Sequence, residues 1–126
     1  MKKFTITVAK TAGFCFGVDR AVKLVYNEIY SGCKAATLGE IIHNPTVVND
    51  LKERGVRVIS SLDEALEGER VVIRSHGAGA DVYRRLEELG IGYSDGTCPF
   101  VRRIQKIAEE CSQKGMTVVI MGDSTH

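Results

Sequence analysis

With 126 residues, 44% of them hydrophobic, the chain has the make-up of one soluble globular domain, or one and a fraction. Its 17 basic and 16 acidic side chains nearly cancel, and no polycationic tract offers itself to a nucleic-acid backbone. No stretch approaches the roughly 20 apolar residues of a membrane span, so neither nucleic acid nor membrane is an expected partner and the cytoplasm is the expected compartment.

The Met1-Lys2-Lys3 start looks like the head of an export signal, but the apolar stretch behind it is short and interrupted by threonines. Phe4–Ala9 therefore reads as a first strand. Val18, Ala21, Val22, Val25 and Ile29 then recur at helical spacing from Gly17 to Tyr30, and Gly32 stops that helix. Ala35–Leu38 is a short strand. Asn44 and Pro45 form a natural helix start, Val47, Val48 and Leu51 line one face, and Gly55 ends it. Val56–Ile59 is a strand, Leu62–Leu66 a helical turn capped by Ser61, and Val71–Arg74 a strand. Asp81–Leu89 is a helix with Val82, Leu86 and Leu89 inward, followed by a short strand at Ile91–Tyr93. Pro99–Lys114 is a helix with Val101, Ile104, Ile107, Ala108 and Cys111 along one side, and Thr117–Met121 is a buried strand. Alternating strands and helices predict an α/β fold with a largely parallel sheet.

The chain also repeats itself. At an offset of 83 residues, Gly13, Cys15, Val18, Arg20, Lys23, Gly32, Gly39 and His43 fall on Gly96, Cys98, Val101, Arg103, Lys106, Gly115, Gly122 and His126. Chance always produces some best offset, and glycines match wherever helices end. Cysteine and histidine are rare here (four and three residues), so matching both carries the weight. A fixed-period echo marks a repeated unit. It divides the chain into a first α/β lobe at 1–97 and the first half of a second, similar lobe at 98–126.

The chemistry-bearing residues gather at one kind of place. Cys15, His43, His76, Cys98 and His126 each lie just past the carboxyl end of a predicted strand. In open parallel sheets that edge is where ligands bind, and helix N-termini there favour anions. Four cysteines without a C-x-x-C pair in a chain of this type read as reduced ligands, nucleophiles or core residues rather than disulfides. Cys15, between Gly13 and Gly17, and Cys98, before Pro99, suit function, because a helix N-terminus favours a thiolate and flanking glycines permit close approach. Cys33 and Cys111 read as structural. On the residues alone, zinc, a cluster iron and a catalytic thiol all stay open. His76 sits in a small-residue loop, Ser75-His76-Gly77-Ala78-Gly79, suited to cradle phosphate. His43 and His126 suit anion donation or proton transfer. Arg74 and Arg103 could add charge there, though each reads first as an ordinary surface arginine.

Four motifs together resemble a known family. Gly13-Phe14-Cys15-Phe16-Gly17-Val18-Asp19-Arg20-Ala21, Ile42-His43-Asn44, Ser75-His76-Gly77 and Asp95-Gly96-Thr97-Cys98-Pro99 are similar, in order and spacing, to the N-terminal part of the 4-hydroxy-3-methylbut-2-enyl diphosphate reductases, the LytB-type reductases. That family usually has Ala where Gly96 stands. The resemblance implies three pseudo-symmetric α/β lobes around a central [4Fe–4S] cluster held by three cysteines, with Cys15 and Cys98 as two of them. It implies that His43, His76 and His126 contact the substrate, chiefly its diphosphate, and that His126 also belongs to the catalytic set. The implied reaction removes the allylic hydroxyl with two electrons and two protons. It yields isopentenyl and dimethylallyl diphosphate, in the non-mevalonate route to isoprenoids, with ferredoxin or flavodoxin as electron donor. The third cysteine, the proton-delivering glutamate and the C-terminal diphosphate loops of the family have no counterpart in the sequence. The resemblance therefore implies a fragment, inactive alone. The competing reading is a small phosphate-binding α/β module without redox chemistry.

Overall fold

The structure, a computed structural model, describes residues 3–122. Four helices and four strands follow one another as α1 (Phe16–Tyr30), β1 (Lys34–Leu38), α2 (Pro45–Glu53), β2 (Arg57–Ile59), β3 (Glu69–Ile73), α3 (Ala80–Glu88), β4 (Tyr93–Asp95) and α4 (Pro99–Gln113). A short 3₁₀ turn at Leu62–Glu64 precedes β3. It carries the expected Ser61 cap, with Glu64 returning the bond in a capping box. The strands form one sheet in the order β2-β1-β3-β4, and every neighbouring pair is parallel. The expected α/β class is thus what the chain adopts.

Parallel strands must be covered on both faces. On one face Ala21, Val22 and Val25 of α1 and Leu51 of α2 pack with Ala35 and Val72. On the other, Leu86 of α3 and Leu62 of the 3₁₀ turn pack with Ala36, Val71 and Ile73. Asn44 caps α2 as anticipated, its side chain accepting from the backbone N–H groups of Thr46 and Val47. A polar hook joins the two helices on the first face. The Tyr26 hydroxyl donates to Asp50 Oδ2 at 2.6 Å, and Arg54 donates to the same carboxylate at 2.8 Å.

Several sequence expectations need correction. Phe4–Ala9 has the alternation of a strand but pairs with nothing among the described residues, and Phe4, Ile6 and Val8 are exposed. Thr117–Met121, expected as a buried strand, is likewise unpaired and exposed. Residue pattern supplies strand propensity but no ladder partner, and an unpaired strand has no stability of its own. Leu89, expected inward, is 42% exposed. It lies past the last turn of α3, where Gly90 swings the chain away at φ 63°. The last strand is Tyr93–Asp95 rather than Ile91–Tyr93, because the Ile91 N–H is spent on closing α3 through Leu86 O. Among the described residues no helix is long and apolar enough to cross a membrane.

The Asp50 hook has a pH consequence. Arg54 and then Tyr26 hold the Asp50 carboxyl below its ordinary value of 3.8. Its contribution to stability should be complete above that value and vanish as pH falls through the lower folded-state value. Asp50→Asn is expected to make the acid limb of the stability curve shallower, as read by urea unfolding at a series of acidic pH values. An unchanged limb would mean that the hook is too exposed to matter.

Candidate functional site

The two halves of the sheet diverge at β1. From β1 the chain crosses to β2 on one side and returns to β3 on the other. The loops leaving the carboxyl ends of β1 and β3 therefore part company at a topological switch point, where open α/β sheets bind ligands. His43 lies on the first of these loops and His76 on the second. The two loops meet: the Arg74 guanidinium lies 3.5 Å from where a Cβ on Gly39 would stand. An open groove of about 510 Å³ runs there between Arg74, His76, Gly77, Gly79, Val101 and Gln105.

The cysteines arrive at the same edge by a different route. Cys15 is the N-cap of α1, in extended backbone, and its carbonyl accepts the Asp19 N–H at 2.9 Å. The structure does not place it behind a first strand, since Phe4–Ala9 is unpaired. Gly13, at φ 142°, makes the turn into it. Cys98 is the N-cap of α4 in nearly the same backbone setting, and its carbonyl accepts the Arg102 N–H at 2.9 Å. Neither cap makes a side-chain hydrogen bond, and both thiols are free.

The two caps converge. A Cβ built on Gly17, in the first turn of α1, would stand 2.7 Å from Cys98 Sγ and 2.8 Å from Cys98 Cβ. Cys15 is only two Cα steps from Gly17, about 7.6 Å of backbone at most. One turn further along α1, Arg20 donates to the carbonyls of Asp95 and Thr97 at 3.3 Å each. The Cys98 N–H donates to Ser75 O at 2.9 Å, which ties the cysteine loop to the His76 loop. Gly77, at φ 77°, brings that loop against α4 and Thr97, and the Gln105 side-chain amide donates to His76 O.

The remaining candidates separate clearly. His43 is exposed, with Nδ1 3.4 Å from Glu40 Oε2, an ion pair when the imidazole is protonated. His126 lies outside the described residues. Cys33 sits beyond the far end of α1, about 22 Å of helix from Cys15. Cys111 sits near the far end of α4, and both of these thiols are half-buried. Arg103 lines a separate basic groove with Arg20 and Lys106. A groove of about 580 Å³ opens at the amino ends of the strands around Leu66, Glu69, Leu89 and Gly92. Its lining contains no cysteine or histidine, so its size does not make it the chemical site. Among the described residues no group of three His, Cys, Asp or Glu side chains gathers as a metal site. The edge supplies two thiols.

The sequence pointed to Cys15, Cys98 and the histidine loops but missed the parts that join them. Arg20 was legible as one of the matches at the 83-residue offset, yet nothing in the pattern said that it reaches the Cys98 loop. Gly17 was expected to make room for a bulky group; the neighbour that fills its space is Cys98.

The chain is similar to known proteins over almost its whole length. The family model described as LytB protein matches residues 6–126. The chain is 50% identical over 125 residues to a 4-hydroxy-3-methylbut-2-enyl diphosphate reductase of Caldanaerobacter subterraneus subsp. tengcongensis, covering 96% of this chain and 43% of that protein. It is 46% identical over 123 residues to a protein of the same name from Alkaliphilus oremlandii, covering 96% and 44%. A solved (E)-4-hydroxy-3-methyl-but-2-enyl diphosphate reductase, described as the terminal enzyme of the non-mevalonate pathway, superposes with a TM-score of 0.82 at 43% identity. That match covers 96% of this chain and 43% of the other. The Plasmodium falciparum reductase structure shares the fold, with a TM-score of 0.84 at 22% identity over 93% of this chain and 37% of its own. The chain spans less than half the length of the curated relatives it matches.

The Gly17 contact predicts an inverted substitution effect. Replacing a helical glycine by alanine ordinarily stabilises by about 0.5–1 kcal/mol. Gly17→Ala is expected instead to destabilise by about 1–3 kcal/mol, because the new methyl overlaps both Cβ and Sγ of Cys98. Urea midpoints decide this, and a variant as stable as the parent would remove the close approach from the account.

Proposed function

The chain belongs to the LytB protein family, and from that premise we propose that it is the amino-terminal part of a reductase acting on 4-hydroxy-3-methylbut-2-enyl diphosphate. The observation that supports the reading is the packing of Cys98 against Gly17, two residues from Cys15, with the Cys98 loop bonded to the His76 loop. The donor set suits an iron–sulfur cluster. Both thiols cap helices without spending themselves on a side-chain bond, and soft thiolates are the preferred ligands of such clusters. Cys15 and Cys98 would hold a [4Fe–4S] cluster together with a third donor, which the described residues of this chain do not bring to the site. When bound, such a cluster would supply the electrons for removing the substrate hydroxyl.

The chain's own residues act on the other end of the substrate. The start of α3 behind the His76 loop and the nearby Arg74 guanidinium favour a diphosphate in the groove. His43 stands across the switch point, ahead of the capped start of α2, where an anion is also favoured. His126 completes the proposed histidine set and takes part in the catalytic steps. The overall change consumes two electrons and two protons, releases water and leaves isopentenyl or dimethylallyl diphosphate. Ferredoxin or flavodoxin is the proposed donor, and cytoplasmic residence belongs to the same proposal. The lobe boundary falls between residues 97 and 98, so that α4 and the segment after it open a second lobe.

Anaerobic treatment of the 126-residue chain with ferrous iron and sulfide tests the reading. A brown, iron- and sulfide-containing protein is expected. Cys15→Ser and Cys98→Ser should each lower retained iron at least about tenfold, and Cys33→Ser and Cys111→Ser should not. A colourless parent chain that still binds inorganic diphosphate would favour the phosphate-binding module instead. A parent that takes up zinc and no iron would overturn the cluster.

A further inference from the structure

We infer that Asp95 is the positioning residue for the Cys98 thiol: its carboxylate gathers Thr97, Tyr83 and Arg102 and so sets the loop that presents Cys98 to the first turn of α1.

Asp95 is the last residue of β4, three residues before Cys98. Its Oδ1 accepts the Thr97 N–H at 2.8 Å and the Thr97 hydroxyl as well. This is an Asx-type turn that folds the chain back within two residues. Its Oδ2 accepts from the Tyr83 hydroxyl of α3 at 3.3 Å and from Arg102 of α4 at 2.5 Å. The Tyr83 and Thr97 hydroxyl oxygens also lie 3.2 Å apart, and a proton that bridges them is one the carboxylate does not receive. One carboxylate therefore spans a strand end, two helices and the cysteine loop.

The loop has little freedom left. Thr97 is 2% exposed. Gly96 N–H donates to Ile73 O at 2.8 Å, and a Cβ on Gly96 would fall 2.3 Å from that same oxygen. From the other side Arg20 holds the carbonyls of Asp95 and Thr97. Burial alone would push the Asp95 carboxyl up, but the Thr97 hydroxyl and amide, Arg102 and Tyr83 together hold it below the ordinary value. The network is built around the ionised form. The side chains that meet the carboxylate are not interchangeable supports: only the Thr97 amide bond shapes the turn, whereas Tyr83 and Arg102 anchor that turn to the helices on either side. Removing the carboxylate leaves the Thr97 amide without its acceptor in a loop that is otherwise buried.

The assignment rests on Cys98 being a ligand thiol, but its test reads position without iron. Site-resolved alkylation by iodoacetamide is measured on the folded, reduced, metal-free chain, with Cys33 and Cys111 as internal references. Asp95→Ala is expected to raise the Cys98 rate relative to Cys15 about tenfold, the factor that loss of one buried hydrogen bond gives to local opening. Asp95→Asn keeps an acceptor for the Thr97 amide and should recover most of that change. Tyr83→Phe should give a smaller rise of about threefold, because it removes one long anchoring bond and leaves the Thr97 amide its acceptor. Val25→Ala, a core truncation away from the network, should leave the ratio unaltered. A ratio unmoved in Asp95→Ala, or moved equally by Val25→Ala, would overturn the assignment and reduce Asp95 to a general stabiliser. Should Asp95→Ala not fold, a wild-type ratio in both Tyr83→Phe and Asp95→Asn would overturn it as well. Iron retention by the parent chain is scored separately: a shifted ratio in a chain that takes up no iron sinks the ligand reading and keeps the placement of Cys98.

Discussion

The approach of Cys98 to Gly17 is the constraint from which the rest of the site follows. Cys15 and Cys98 are 83 residues apart in sequence, and no local pattern joins them. They share a mouth because the first turn of α1 presents a backbone without a side chain where the Cys98 sulfur comes to rest. Arg20 then closes the seam by reaching two carbonyls of the cysteine loop. A bulkier residue at position 17 would separate the thiols by the width of its own side chain, and no rearrangement of the distant core could bring them back.

The sheet supplies the other half of the arrangement. Order β2-β1-β3-β4 sends the loops after β1 and β3 to opposite faces, which opens a crevice without any sequence needing to encode a cavity. The bond from Cys98 N–H to Ser75 O then hangs the thiol edge on the wall of that crevice. Thiols and histidine loops therefore hold a fixed relation through a single backbone link.

Much of this was legible in the residues. Periodicity located the helices because each carries a continuous apolar stripe, and Asn44-Pro45 and Ser61 announced their caps. The 83-residue echo was more informative than it looked. α1 and α4 each run for 15 residues, beginning directly after a cysteine. Both end on a glycine at positive φ, Gly32 and Gly115, with matching backbone bonds from Gly32 to Ile29 and from Gly115 to Ser112. What remained hidden was pairing. Phe4–Ala9 and Thr117–Met121 have strand composition, but a strand exists only against a neighbour, and neighbours are chosen at long range. Arg20 and Asp95 stayed hidden for a related reason. Polar side chains that hold loops together carry no period, and their partners lie 75 or more residues away (Arg20) or on three separate elements (Asp95).

The two copies of the helix unit differ in what surrounds them. α1 buries Ala21, Val22 and Val25 against β1 and β3, whereas α4 buries none of its residues. The sheet explains the contrast. One face is taken by α1 and α2 and the other by α3 and the 3₁₀ turn, so neither face has room for α4. Phe100, Ile104 and Ile107 are left in the open, and the unpaired Val118–Met121 follows the helix in the chain. An apolar helix stripe followed by a strand-like segment is the same pair of elements that α1 and β1 form in the first copy, minus the sheet that would receive it. That is the physical support for the proposed boundary between 97 and 98. With that proposed boundary Cys98 would sit on the seam, its backbone bonded to Ser75 and packed by Gly17 and its helix leading away from the sheet.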